Sequence, residues 1–279
     1  MKKRWLMNSN NAQVTVFIII AIILVVGGGT GYYLVKSSGD KTSKEFFLRE
    51  DIKPTMDNIK NSIIICSENS AEGSLEKIGI QGGFSKKPEK AYDLGWAFIP
   101  YYYERGSFLM PEKVTVEREL GREYENQFLT CFKGINATGF VVKPGSSKTK
   151  ASISKGNVLF NMDMPVTISK DENSMKIQMK DAPISQASKL YEILEIGRYI
   201  TDSHKNDSEM ICITCVADMA EERDLYVYSF DAMDNSVLML VMDNSTSAQP
   251  YYFEWLNKYN PIVSTAPGIP GAPGVPGTR

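Results

Sequence analysis

From Val14 to Val35 the chain carries no charged residue, running VTVFIIIAIILVV before Gly27 to Gly31 and the pair Tyr32 and Tyr33. As a helix rising about 1.5 Å per residue, these 22 residues reach about 33 Å, enough to cross a hydrocarbon core of about 30 Å. The pattern therefore predicts a membrane-spanning helix. Beyond it the hydrophobic spacing turns periodic. Ser43 to about Ile80 carries Phe46, Phe47, Ile52, Ile59, Ile63 and Ile64 at helical intervals, with Pro54 kinking this helix or starting a new one. Pro111 to Phe132 repeats Val116, Leu120, Tyr124 and Phe128 every fourth residue, one apolar face of a second helix. Gln186 to Ser203 reads as a third, burying Leu190, Ile193, Leu194, Ile196 and Ile200.

Between the second and third helices the period shortens. Thr138 to Val142, Asn157 to Met162, Val166 to Ser169 and Met175 to Met179 read as strands separated by Pro-Gly and Asp-Glu-Asn turns. Leu225 to Phe230 and Val237 to Met242 flank Asp234-Asn235 and read as a hairpin. The fold class expected is α+β: an N-terminal transmembrane helix followed by an extracellular domain of helices and antiparallel strands. The expected organisation is a basic leader over 1–12, the span over 13–35, the domain over 36–260 and a Pro/Gly-rich tail over 261–279. Within the domain, 43–132 is expected to be helical, 135–180 strand-rich, 186–203 helix and 208–260 mixed. The tail places Gly268, Gly271, Gly274 and Gly277 at every third residue, each preceded by proline. So short a collagen-like period favours an extended, polyproline-like segment over a triple helix.

Charge sets the orientation. Lys2, Lys3 and Arg4 precede the apolar run, which places the N-terminus in the cytoplasm and the C-terminal domain outside, despite Lys36, Lys41 and Lys44 after it. A removable secretory signal is the rival reading, but the apolar run is too long for one and the Gly-rich stretch after it is a poor cleavage site. Gly27 and Gly31 form a small-xxx-small pair through which copies of the helix could approach. The whole chain carries 31 Lys+Arg against 33 Asp+Glu, a net charge of −2, which argues against nucleic acid as a partner.

Candidate chemistry is sparse. The chain has one histidine, His204, in a polar stretch at the end of a helix, where an exposed cap is the expectation. The 144–149 stretch lacks P-loop spacing, and neither G-x-S-x-G nor H-E-x-x-H occurs. Four cysteines, Cys66, Cys131, Cys212 and Cys215, allow three connectivities, and in an oxidising compartment two structural disulfides are expected. If Cys66 and Cys131 pair, Cys212 is left with Cys215. The C-x-x-C pair has a second reading, thiol–disulfide exchange, which needs an exposed Cys212 at a helix start beside a cleft; a packed disulfide opposes it. Trp96, Tyr101, Tyr102, Tyr103 and Arg105 are candidate binding residues, for a protein surface or for stacking on a sugar. Core packing explains the aromatic residues equally well. Asn136, Asn206 and Asn244 begin N-x-[ST] triplets and are candidate glycosylation sites.

At Asn11-Ala12-Gln13-Val14-Thr15-Val16-Phe17-Ile18 the sequence resembles the class III signal of archaeal type IV pilin-like proteins. The resemblance implies a leader cut between Ala12 and Gln13, with the apolar helix retained. Phe17 stands where that family commonly has a glutamate that helps join subunits. The remaining chain, including Ile80-Gln81-Gly82-Gly83-Phe84, the Cys212–Cys215 pair and Pro250-Tyr251-Tyr252-Phe253, resembles uncharacterised single-span surface proteins of small-genome archaea. Together these features imply a non-enzymatic, membrane-anchored surface protein for assembly or adhesion, without cofactor or metal. Its expected partners are the lipid bilayer, copies of itself through the transmembrane helix, and a cell-surface protein or glycan.

Overall fold

The computed structural model describes residues 46–205, 211–246 and 249–260. The leader, the Ala12–Gln13 junction, the expected span over 13–35, Asn206 and the tail over 261–279 lie outside the described residues. Among the described residues no helix is long and apolar enough to cross a membrane. The expected fold class is corrected accordingly, to α+β with no spanning helix among the described residues. The longest helix, α1 (Lys53–Ile80), has the length, but Asp57, Lys60, Glu68, Glu72 and Glu76 interrupt it.

Pro54 sits in the first turn of α1, so it starts the helix rather than kinking it. Helix α1 packs along α2 (Lys113–Phe132), and small side chains bring the two together. Ser67, Ser70 and Ser74 are buried, and each hydroxyl donates to the carbonyl four residues earlier; Ser67 also hydrogen-bonds the Tyr124 side chain on the facing helix. On α2 the predicted face is the buried one: Val116, Leu120, Tyr124 and Phe128 are at most 2% exposed. The Cys66–Cys131 disulfide ties the two helices, with Cα atoms 5.7 Å apart. Lys77 adds an ion pair to the buried Glu123 at 2.8 Å.

Three sheets surround this pair. The largest contains β1 (Ala91–Asp93), β2 (Phe98–Glu104) and β3 (Ser107–Phe108), so 91–108 forms strands within the region expected to be helical. Its other members are β10 (Tyr226–Ala232), β11 (Ser236–Asp243) and β12 (Tyr251–Lys258), in the order β1-β2-β12-β11-β10, with β3 on β2. The sheet is mixed, because β12 runs parallel to β2. The predicted hairpin is present as β10–β11, turning through Asp234 and Asn235 at φ 59° and 56°, the left-handed geometry that such a turn demands.

Two three-stranded antiparallel sheets complete the domain. One contains β4 (Val141–Pro144), β7 (Pro165–Lys170) and β8 (Asn173–Gln178); the other β5 (Lys148–Ser154), β6 (Asn157–Asp163) and β9 (Ile184–Ala187). Helix α2 seals the free edge of β5, where Glu117 accepts the Ile153 N–H at 2.9 Å and Lys113 donates to the Ile153 carbonyl at 3.0 Å. The third helix, α3 (Leu190–Ser203), starts later than the sequence pattern suggests, because Gln186 and Ala187 pair with β6. Helix α4 (Ile213–Glu221) follows it and packs against β10.

The Ile80–Phe84 segment ends α1 on the large sheet. The Gly83 N–H reaches back to the Ile78 carbonyl at 2.8 Å, and Gly82 turns at φ 49°. A Cβ on Gly79 would strike the Tyr252 carbonyl, and one on Gly82 would lie 2.6 Å from the Glu254 carbonyl. Both glycines let the helix end touch the backbone of β12.

Candidate functional site

The five aromatic and basic binding candidates do not form one surface. Tyr102 and Tyr103 are 0% and 1% exposed, so their assignment as binding residues is corrected to core packing. Tyr102 stacks on Trp255 at 5.1 Å and donates to the Gly82 carbonyl; burial pushes its hydroxyl pKa well up. Tyr103 packs 4.4 Å from the His204 ring. Tyr101 is half-buried, with the Lys258 ammonium 5.7 Å from its ring centre. Trp96 is 79% exposed in the turn before β2, whereas Arg105 follows the far end of that seven-residue strand, which alone is about 23 Å long. Tyr102 and Tyr103 therefore offer no surface ring beside Tyr101. Beside Trp96, the Lys87 ammonium and then the Gly95 N–H hold the Asp93 carboxyl below its usual range.

His204 is also not the exposed cap expected from its sequence. It is 4% exposed, with Nε2 3.3 Å from the Tyr259 hydroxyl, because the end of β12 folds back over the end of α3. Asn136 and Asn244 both lie exposed, outside the helices and strands. Among the described residues no group of three or more His, Cys, Asp or Glu side chains could hold a metal ion.

The structure forms both disulfides, Cys66–Cys131 and Cys212–Cys215. Their settings differ. Cys66 is 5% exposed inside the α1–α2 seam. Cys212 is exposed at the N-cap of α4, where its sulfur accepts the Cys215 N–H at 3.3 Å. Ile211 and Ile213, on either side of Cys212, line a groove of about 830 Å³ between α4 and the β10–β11 pair. Val216, Ala220, Val227, Val237 and Met239 form its apolar floor, and Glu221, Asp224 and Asp231 supply its charge.

The opposite face of the same sheet is a second site, which the candidate residues missed. Strand alternation puts Val227, Met239, Val241, Phe253 and Trp255 on the inner face and Tyr226, Tyr228, Phe230, Leu238, Leu240, Met242 and Tyr252 on the outer one. A solvated outer face of an antiparallel sheet should be polar. Here Tyr226, Tyr228 and Phe230 are 51%, 41% and 51% exposed, and the two rings of Tyr228 and Phe230 stack at 6.3 Å. The one ionisable carboxyl among these residues, Glu254, lies across from Leu240, and burial raises its pKa. The unbroken apolar run Val237-Leu238-Met239-Leu240-Val241-Met242 was the available signal, since only a strand covered on both faces is expected to lack alternation. In comparisons with known proteins, no family model, no curated protein and no solved structure matches the chain.

Proposed function

We propose that this chain is a surface protein whose domain over 46–260 joins copies of itself outside the cytoplasm. The observation that carries this reading is the apolar outer face of β10, β11 and β12. Contiguous apolar patches of this kind mark interaction surfaces. Two such faces can pack as aligned sheets about 10 Å apart. Glu254 is the one carboxyl such packing would bring in, and its raised pKa lowers the cost of neutralising it. The resemblance of residues 11–18 to class III signals, and two disulfides, support a location beyond the reducing cytoplasm.

Sedimentation velocity of the full-length chain over a concentration series tests the reading. The wild type should shift to larger species as concentration rises, and the double variant Tyr228→Lys, Phe230→Lys should remain monomeric with unchanged circular dichroism. A wild type that stays monomeric throughout, or a variant that associates equally, overturns it.

A further inference from the structure

We infer that Cys212–Cys215 is an exchangeable disulfide that oxidises the dithiols of apolar, neutral or basic polypeptide segments held in the groove beside α4. The groove's lining draws on the inner-face Val227, Val237 and Met239 and also on Tyr226 and Tyr228 of the outer face, so the exchange is tested at protein concentrations where the chain is monomeric. Three observations converge. The Cys212 sulfur is exposed while Cys215 is half-buried, so an incoming thiolate meets Cys212 first. The Cys215 N–H already points at that sulfur from 3.3 Å, at the positive end of a nine-residue helix, so a thiolate left on Cys212 is stabilised as it forms. The residues flanking Cys212 line the apolar groove, which gives an extended chain somewhere to lie while its sulfur reacts.

Charge selects among thiol sources. The described residues lining the groove include Glu221, Asp224 and Asp231 and no cationic side chain, and only Asp224 is paired from outside the lining, by Lys189 at 3.7 Å. An anionic small thiol such as glutathione is repelled there, whereas a lysine-bearing apolar peptide is attracted.

The exchange balances without any further reagent. A substrate thiolate attacks the Cys212 sulfur, forming a mixed disulfide and breaking the Cys212–Cys215 bond, with the electron pair leaving on Cys215. The substrate's second thiolate then attacks its own sulfur in the mixed disulfide and expels the Cys212 thiolate. The substrate loses two electrons and two protons, and the cysteine pair gains both, the protons passing through solvent.

The test uses the full-length oxidised protein and two probes, glutathione and a synthetic leucine- and lysine-containing peptide with two cysteines. Differential alkylation followed by mass spectrometry reports which bridge opens. At equal thiolate concentration the peptide should open Cys212–Cys215 about tenfold faster than glutathione does, and Cys66–Cys131 should stay closed. The paired substitutions Asp224→Asn and Asp231→Asn should shrink that preference. Cys215→Ser, offered a single-cysteine version of the peptide as a disulfide with a small thiol, should accumulate a mixed disulfide at Cys212 that persists because neither the peptide nor the protein then has a second thiol at the site to resolve it. Equal rates for the two probes, both bridges opening together, or no mixed disulfide would overturn the inference, and none of these readouts depends on self-association.

Discussion

The two disulfides use the same bond in opposite surroundings. Cys66–Cys131 closes a separation of 65 residues, lies within the seam of two long helices and has a largely buried partner in Cys66. Cys212–Cys215 closes a separation of three, caps a short helix and shows its first sulfur to solvent. Loop-closure entropy grows with loop length, so the first bridge removes far more freedom from the unfolded chain. Exposure decides reactivity, so the second is the one that reagents reach. Stability and chemistry are thus assigned to different cysteine pairs.

The largest expected effect comes from deleting each bridge in turn. Replacing Cys66 and Cys131 by alanine should cost about 4 kcal/mol in guanidinium unfolding, and replacing Cys212 and Cys215 should cost no more than about 2 kcal/mol. Equal losses would erase the contrast. A neighbouring isoleucine at each bridge sharpens it further. Ile63 is 2% exposed and Ile213 is 76% exposed, so Ile63→Ala should destabilise by about 2 to 5 kcal/mol while Ile213→Ala stays within about 0.5 kcal/mol. The smallest effect probes the buried–open contrast by pH, at Glu254 on the sheet between them. Burial raises its folded pKa above the unfolded value, so ionised Glu254 lowers stability above the folded pKa and the penalty vanishes below the unfolded one. Glu254→Gln should therefore raise Tm at pH 7, and thermal melts below about pH 4 should show no gain.

Helix α2 was readable because one four-residue spacing specified both its extent and its buried face, and Val116, Leu120, Tyr124 and Phe128 all lie inside. The β10–β11 hairpin was readable because Asp234-Asn235 suits a left-handed turn between two apolar runs. Strands β2 and β12 were not. Their aromatic runs, Phe98 to Tyr103 and Tyr251 to Trp255, suit a contact surface and a core strand equally, and only the stacking of Tyr102 on Trp255 separates the two. The groove escaped for another reason: its walls come from α4 and from two strands beyond it, and no local pattern records that juxtaposition. Cys212 was singled out by spacing, but its exposure follows from the N-cap geometry of α4, which the sequence leaves open.

Helix α1 runs about 42 Å from Lys53 to Ile80 and ends with its backbone against that of β12. In mechanical terms it is a strut. Tension applied near Phe47 travels along the helix axis and enters the large sheet at Gly79 and Gly82, which abut the β12 backbone and the rings of Tyr251 and Pro100. Roughly midway, the covalent link to Cys131 diverts part of that load into α2. Pulling on the helix therefore shears two elements together, so the domain should resist extension as one body until the sheet itself gives way.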